Sequence, residues 1–190
     1  MKHLIAGLGN PGEKYKYTRH NIGQLVIEKL CAKFSDATHI RKNVGDLWEY
    51  NLNGNCLYLF KPYCYMNESG IYIAKALNKF NISVSNLLTI YDDKDISFGC
   101  LRFKYGGSSG GHRGIQSIIN IVGEDFIRLR CGIGAADIGD TAEFVLKHFT
   151  NEEKKILEDF LEKAAEAVLY FLKEGLNNAM NYYNRRVSKN

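Results

Sequence analysis

The 190-residue chain predicts one α/β domain spanning residues 1–190, a mixed, twisted β-sheet surrounded by α-helices. Three observations carry that expectation. Short apolar runs of strand length alternate with segments whose apolar residues recur at helical spacing. Two of the runs flank Asn53-Gly54-Asn55, a hairpin signal that puts an antiparallel pair into an otherwise alternating order. No repeat, low-complexity tract or linker divides the chain, and its length is enough to bury a core without staples.

Taken in order, residues 3–8 read as a buried strand. Leu25, Val26, Leu30, Cys31 and Phe34 then stripe a first helix from about 21 to 34. Residues 36–45 are polar and read as irregular, and Leu47–Leu52 with Cys56–Phe60 form the hairpin. The loop 61–70 leads into a helix marked by Ile73, Leu77 and Phe80, followed by an apolar strand, Leu87–Tyr91. Cys100–Tyr105 is a further strand, and a glycine-rich loop, 106–114, opens a helix carrying Ile115, Ile118, Ile119 and Val122. Ile127–Ile133 is the last strand. Thr150 and Glu153 make a capping box for a long final helix striped by Ile156, Leu157, Phe160, Leu161, Ala164, Val168 and Leu172.

Composition bounds the function classes. The net charge of +4 is compatible with a phosphorylated or nucleic-acid partner without requiring one. Five scattered cysteines form no Cys-x-x-Cys, and four sit in apolar surroundings, as small hydrophobes in a reducing compartment do. No run reaches the roughly 18 apolar residues of a membrane span. The first strand is too short, and too soon broken by Asn10-Pro11-Gly12, for a secretory signal. The expectation is a cytoplasmic protein with no membrane association.

The stretch 7–23 is where chemistry concentrates, because a strand ending at a Gly/Asn/Pro turn delivers side chains to a sheet end, where α/β proteins bind ligands. Gly7-Leu8-Gly9-Asn10-Pro11-Gly12 satisfies the dinucleotide spacing, yet Pro11 delays the helix and no strand-end acid follows at the required distance. His20, at a helix start, is a base candidate, and a neutral imidazole needs a carboxylate to hold its tautomer. Asp92, at the end of a central strand, is the best-placed acid, with Asp93 and Asp95 read as solvated. Asn10 is a turn residue or a substrate amide. Asn67 is a helix cap or a group that both donates and accepts at a reacting centre. Tyr65 and Met66 wall a cleft or belong to the core. The 106–114 loop lacks the Lys-Ser/Thr ending of a P-loop and suits a rim whose helix start favours an anion. Lys104 and Arg130, on neighbouring strands, clamp a phosphate or are solvated. His20 and His112 with an aspartate lack tight metal spacing, so no metal is expected.

These segments together resemble the bacterial-type peptidyl-tRNA hydrolase family. The resemblance rests on five motifs in order: G-L-G-N-P-G-x-x-Y-x-x-T-R-H-N-x-G at 7–23, K-P-x-x-Y-M-N-x-S-G at 61–70, an Asp pair after Leu87–Tyr91, G-G-x-x-G-G-H-R-G-I at 106–115, and R-L-R-x-G-I-G at 128–134. It implies a single α/β domain that hydrolyses the ester between peptide and tRNA, recycling tRNA from prematurely released chains without metal or organic cofactor. It implies His20 as base, Asp92 as the acid that keeps it basic, and Asn10 as the residue distinguishing blocked from free aminoacyl groups. Tyr15, Tyr65 and Asn67 match substrate contacts, Met66 lines the cleft, and Lys104 with Arg130 match a clamp on a terminal phosphate. The partner implied is peptidyl-tRNA, and a monomer is the default. Arg113 stands where many members carry an Asn that touches substrate; a guanidinium cannot accept a hydrogen bond, so it suits a phosphate or carbonyl instead. The 134–140 segment lacks a proline common in the family.

Overall fold

The computed structural model describes residues 1–34, 38–42, 44–52, 54–134 and 141–185. Seven strands form one mixed sheet: β1 (Lys2–Gly7), β2 (Thr38–Lys42), β3 (Gly45–Leu52), β4 (Asn55–Pro62), β5 (Leu87–Asp93), β6 (Leu101–Tyr105) and β7 (Ile127–Gly132). Their spatial order is β2-β3-β4-β1-β5-β7-β6. The four central strands run parallel, while β2 and β3 on one side and β6 on the other pair antiparallel. The helices are α1 (Ile22–Lys33), α2 (Ser69–Phe80), α3 (Arg113–Val122), α4 (Thr141–Leu146) and α5 (Asn151–Tyr183).

Alternation along the central strands sorts the core into two layers. Ile5, Leu57, Leu59, Leu88 and Ile90 pack with Leu25, Val26 and Leu30 of α1 and Phe160, Ala164 and Val168 of α5. Leu4, Ala6, Tyr58, Phe60, Leu87 and Tyr91 pack with Ile73 and Leu77 of α2 and Ile115 and Ile118 of α3. A strand buried on both faces reads as a continuous apolar run, which is why β1, β4 and β5 were legible. Lys29–Glu158 and Lys33–Glu162 ion pairs join α1 to α5. Thr150 accepts from the Glu153 amide while Glu153 accepts from the Thr150 amide, so the expected capping box opens α5. Gly175, with φ 81°, interrupts that helix near its end.

Three expectations are corrected. Residues 38–42, read as irregular, form β2, whose backbone is satisfied by pairing with β3 from Ile40↔Leu47 outward rather than by an apolar pattern of its own. Ile156, read as part of the buried stripe of α5, is half exposed, because the buried face of that helix starts at Phe160. Among the cysteines, Cys64 and Cys131 are buried and the other three are only partly so. All five are free, and burial pushes the Cys31 and Cys64 thiols up to about 12, which leaves them inert. Of the 134–140 segment only Gly134 falls within the described residues.

The position of α1 depends on two glycines. A Cβ on Gly23 would lie 2.2 Å from the Ile90 carbonyl oxygen, and one on Gly7 would lie 2.2 Å from the Gly23 carbonyl oxygen. The start of α1 therefore rests directly on the ends of β1 and β5, where Leu8 also donates to Ile90 at 3.0 Å. Because the clash is with backbone, Gly23→Ala is expected to lower unfolding free energy by about 3 kcal/mol. Urea titration measures this, and a loss below about 0.5 kcal/mol would show that the close approach is not required.

Candidate active site

The sheet order reverses around β1, and the carboxyl ends of β1, β4 and β5 open into a cavity of about 540 Å³. This is the switch-point crevice of an open α/β sheet. The cavity is lined by Asn10, His20, Tyr65, Met66, Asn67 and Asp92, with the glycine-rich loop, Arg113 and α4 around its rim.

At its floor lies Asp92, the sixth residue of β5, 3% exposed. One oxygen, Oδ1, meets His20 Nδ1 at 2.8 Å and His112 Nε2 at 3.0 Å. The two histidines come from opposite layers: His20 precedes α1, and His112 caps α3. Hydrogen bonding assigns both tautomers. His112 Nδ1 accepts from the Ile115 amide at 3.2 Å, so its proton is on Nε2 and is donated to Asp92. A carboxylate can only accept, so neutral His20 carries its proton on Nδ1 and turns a bare Nε2 lone pair toward the cavity. Burial by itself would push the Asp92 carboxyl up, but the two imidazoles outweigh it and hold the group well below the usual carboxylate range. The role of His112 as a second donor to Asp92 was missed; its position after two glycines and directly before a helix start was the available signal.

One potential ligand atom from each of these three side chains lies within 4.8 Å of the other two, close enough to invite a metal reading. The donor set does not suit one. A metal on His112 Nε2 would force that ring's proton onto Nδ1, against the Ile115 N–H, and would displace both protons that satisfy Asp92.

Asn10 is fixed from both sides. Its amide donates to Asn21 Oδ1 at 2.9 Å, its carbonyl accepts from Asn21 Nδ2 at 2.8 Å, and its Oδ1 accepts from the Met66 amide at 2.9 Å. What remains for the cavity is its Nδ2, a donor. Asn21 opens the amphipathic helix, and its pinning of Asn10 was not foreseen. Asn67 makes no helix cap: it is exposed, lines the cavity, and its amide has no partner among the described residues. Met66 is buried in the layer under the cavity and Tyr65 is half exposed at the rim.

The glycine-rich loop takes positive φ at Gly106, Gly107, Gly110 and Gly111, backbone that side-chain-bearing residues rarely adopt. Arg128, fully buried, donates to the carbonyls of Ser108 (2.7 Å) and Gly107, and stacks on Phe126. It thereby pins the loop that delivers His112.

A family model for peptidyl-tRNA hydrolase matches residues 4–190. The chain is 42% identical over 183 residues to the peptidyl-tRNA hydrolase of Caldanaerobacter subterraneus subsp. tengcongensis, covering 96% of this chain and 99% of that one. It is 44% identical over 184 residues to that of Desulfitobacterium hafniense, with 96% and 99% covered. The chain belongs to the peptidyl-tRNA hydrolase family. The crystal structure of peptidyl-tRNA hydrolase from Acinetobacter baumannii shares the fold with a TM-score of 0.88 at 32% identity, covering 96% of this chain and 94% of that one. Membership in the peptidyl-tRNA hydrolase family carries hydrolase activity on peptidyl-tRNA. No helix among the described residues is long and apolar enough to cross a membrane.

Tyr15, Lys104 and Arg130 lie outside the cavity, whereas Arg113 and Asp93 are part of its lining. Tyr15 sits half-buried on a 3₁₀ turn (Glu13–Tyr15) under Lys14. Lys104 faces Arg128 across the β6–β7 ladder, one step diagonal from Arg130 on the same face. Arg130 is not free, because its Nε donates to Asp93 at 2.6 Å. Asp93, read as solvated, is therefore its partner, and its carboxylate outweighs burial to raise the Arg130 pKa. Arg113 is exposed at the rim with no partner among the described residues. The α4 wall of Ala142, Val145 and Leu146 was not anticipated, although its i, i+3, i+4 apolar spacing was readable.

A depressed carboxyl contributes stability that is present above its unfolded value of about 3.9 and is lost as pH falls through the lower folded value. Asp92→Asn should therefore cost about 2 kcal/mol at neutral pH, the scale of a buried charged hydrogen bond. The gap to the parent protein should narrow below about pH 4 as the parent's own carboxyl is protonated. Thermal unfolding across pH checks this, and a gap that widens in acid would reverse the sign.

Proposed function

We propose that His20 is the general base of this hydrolase, drawing a proton from water through Nε2 while Asp92 holds Nδ1–H. The observation that carries the reading is the Asp92–His20 contact at 2.8 Å, with the opposite ring nitrogen facing the cavity. The water oxygen attacks the ester carbonyl that joins the peptide to the terminal ribose of the tRNA. The tetrahedral intermediate collapses with cleavage of the acyl–oxygen bond, and the imidazolium returns its proton to the departing ribose hydroxyl. The products are a peptide carboxylate and a tRNA free for reuse.

Asn10 Nδ2 and the Asn67 amide are the donors available to the acyl carbonyl, its oxyanion and the peptide main chain. A preorganised donor at an oxyanion is typically worth about 3 kcal/mol of barrier. Asn10 is read as the group that recognises a blocked amine: its Oδ1 is already taken by Met66, so it offers a donor and no acceptor to the substrate's N-terminal side. Tyr65 and Met66 wall the cleft, Arg113 meets a phosphate or carbonyl of the RNA end, and Tyr15, Lys104 and Arg130 contact tRNA beyond it. The pairing of Arg130 with Asp93 leaves Lys104 as the stronger phosphate ligand of the two. We take the protein to act as a cytoplasmic monomer, and its five free cysteines are in keeping with a reducing compartment.

Release of N-acetyl-amino acid from N-acetyl-aminoacyl-tRNA tests the reading, with unacetylated aminoacyl-tRNA as control. His20→Ala should lower kcat about a thousandfold with tRNA affinity nearly unchanged. Substantial turnover by that variant would remove His20 from the role of base. Asn10→Ala should erode the preference for the acetylated substrate, and an unaltered preference would assign discrimination elsewhere.

A further inference from the structure

Arg19, the residue before the proposed base, touches no part of the cavity, yet it is only 4% exposed. Its backbone amide donates to the Lys147 carbonyl at 3.1 Å. One terminal nitrogen donates to the His148 carbonyl at 2.8 Å, and the other pairs with Glu153 Oε2 at 2.6 Å. That same oxygen accepts from the Thr150 amide at the cap of α5. The guanidinium also lies over the rings of Phe144 (4.5 Å) and Phe149 (5.8 Å). Every one of these contacts falls on the stretch 144–153, which is the end of α4, the start of α5 and the turn between them, and Thr18 adds a β-bridge to His148.

That segment carries one wall of the cleft. Phe144 faces Arg19, while Ala142, Val145 and Leu146 share the other face of α4 and line the cavity. Leu146 is 42% exposed, so this face holds an open apolar surface. The charged residues of α4 and its end, Glu143 and Lys147, pair with each other instead of entering the cavity lining. The opposite rim is polar, with Asp93, Lys94, Asp95 and Arg113. An RNA end finds no cation on the α4 wall, whereas an aliphatic side chain finds a matching surface beside the base.

We propose that Arg19 is a positioning residue that holds α4 against the His20 loop, so that Ala142, Val145 and Leu146 form an apolar subsite for the side chain of the amino acid esterified to tRNA. This rests on the reading that the acyl group lies beside His20.

One tRNA, acylated with either N-acetylglycine or N-acetylleucine, separates the alternatives in steady-state assays. Arg19→Met should raise KM for the leucyl substrate about tenfold and for the glycyl substrate less than about twofold, with kcat within about threefold on both. Arg19→Lys should recover part of the loss, since an ammonium reaches Glu153 or a carbonyl but not all of these partners together. Leu146→Ala should reproduce the leucyl-selective rise with Arg19 intact, which keeps the proposal testable if Arg19→Met folds poorly. A loss equal on both substrates, or one confined to kcat, would overturn the proposal. His20→Ala in the same assay tests the underlying reading separately: retained activity on both substrates would refute the base assignment, whatever the side-chain selectivity.

Discussion

One buried oxygen, Asp92 Oδ1, accepts hydrogen bonds from two imidazoles, and the rest of the site follows from that constraint. A carboxylate shut away from water must have donors, because an unpaired buried charge costs several kcal/mol. Asp92 has them only if His20 presents Nδ1–H and His112 presents Nε2–H. The tautomer of His20 is therefore dictated by burial, and the lone pair on its other nitrogen is left facing the cavity. His112 acts on the opposite side: held by the Ile115 amide, it shares the neutralisation of Asp92 without itself presenting a lone pair to substrate.

The fold exists, from the standpoint of the site, to bring one histidine from each helical layer to the end of a single strand. On the α1 side this needs the Gly7–Gly23 contact, since a methyl at either position would lift the helix start off the sheet. On the α3 side it needs the positive-φ glycines of the 106–111 loop and Arg128 beneath them. Arg19 and Arg128 do parallel jobs. Each is a buried guanidinium spent on backbone carbonyls of a loop that builds one wall of the cleft. Arg19 also has a carboxylate partner, Glu153, whereas Arg128 is balanced by carbonyls and an aromatic face. An Arg in such a setting cannot be exchanged for Lys without losing the fork geometry.

How much of this was readable from the chain depended on range. Local patterns were enough for β1, β4, β5 and the first three helices, because each carries its own apolar period and its own turn or cap. Asn10, His20, Asn67 and Asp92 were legible because each sits at a strand end or helix start, and their assembly at one cavity required only the α/β order. The failures were non-local. β2 is polar and exists through its pairing with β3; α4 is six residues long with a single turn of period to read. Asp93 pairs with Arg130 across adjacent strands 37 residues apart in sequence, which no spacing rule reports. His112 stood out only as a weak metal-ligand candidate, since its bond to Asp92 joins opposite layers of the sheet.

The central claim is that Asp92 fixes complementary tautomers in the two histidines, and nitrogen-15 NMR of the imidazole rings measures that most directly. For the neutral rings the account predicts His20 protonated on Nδ1 with an unprotonated Nε2, and His112 protonated on Nε2 with an unprotonated Nδ1. Asp92→Asn should abolish the distinction for His20. A His20 ring found with its proton on Nε2 in the parent protein would contradict the account, because the lone pair would then face the carboxylate and no base would face the cavity.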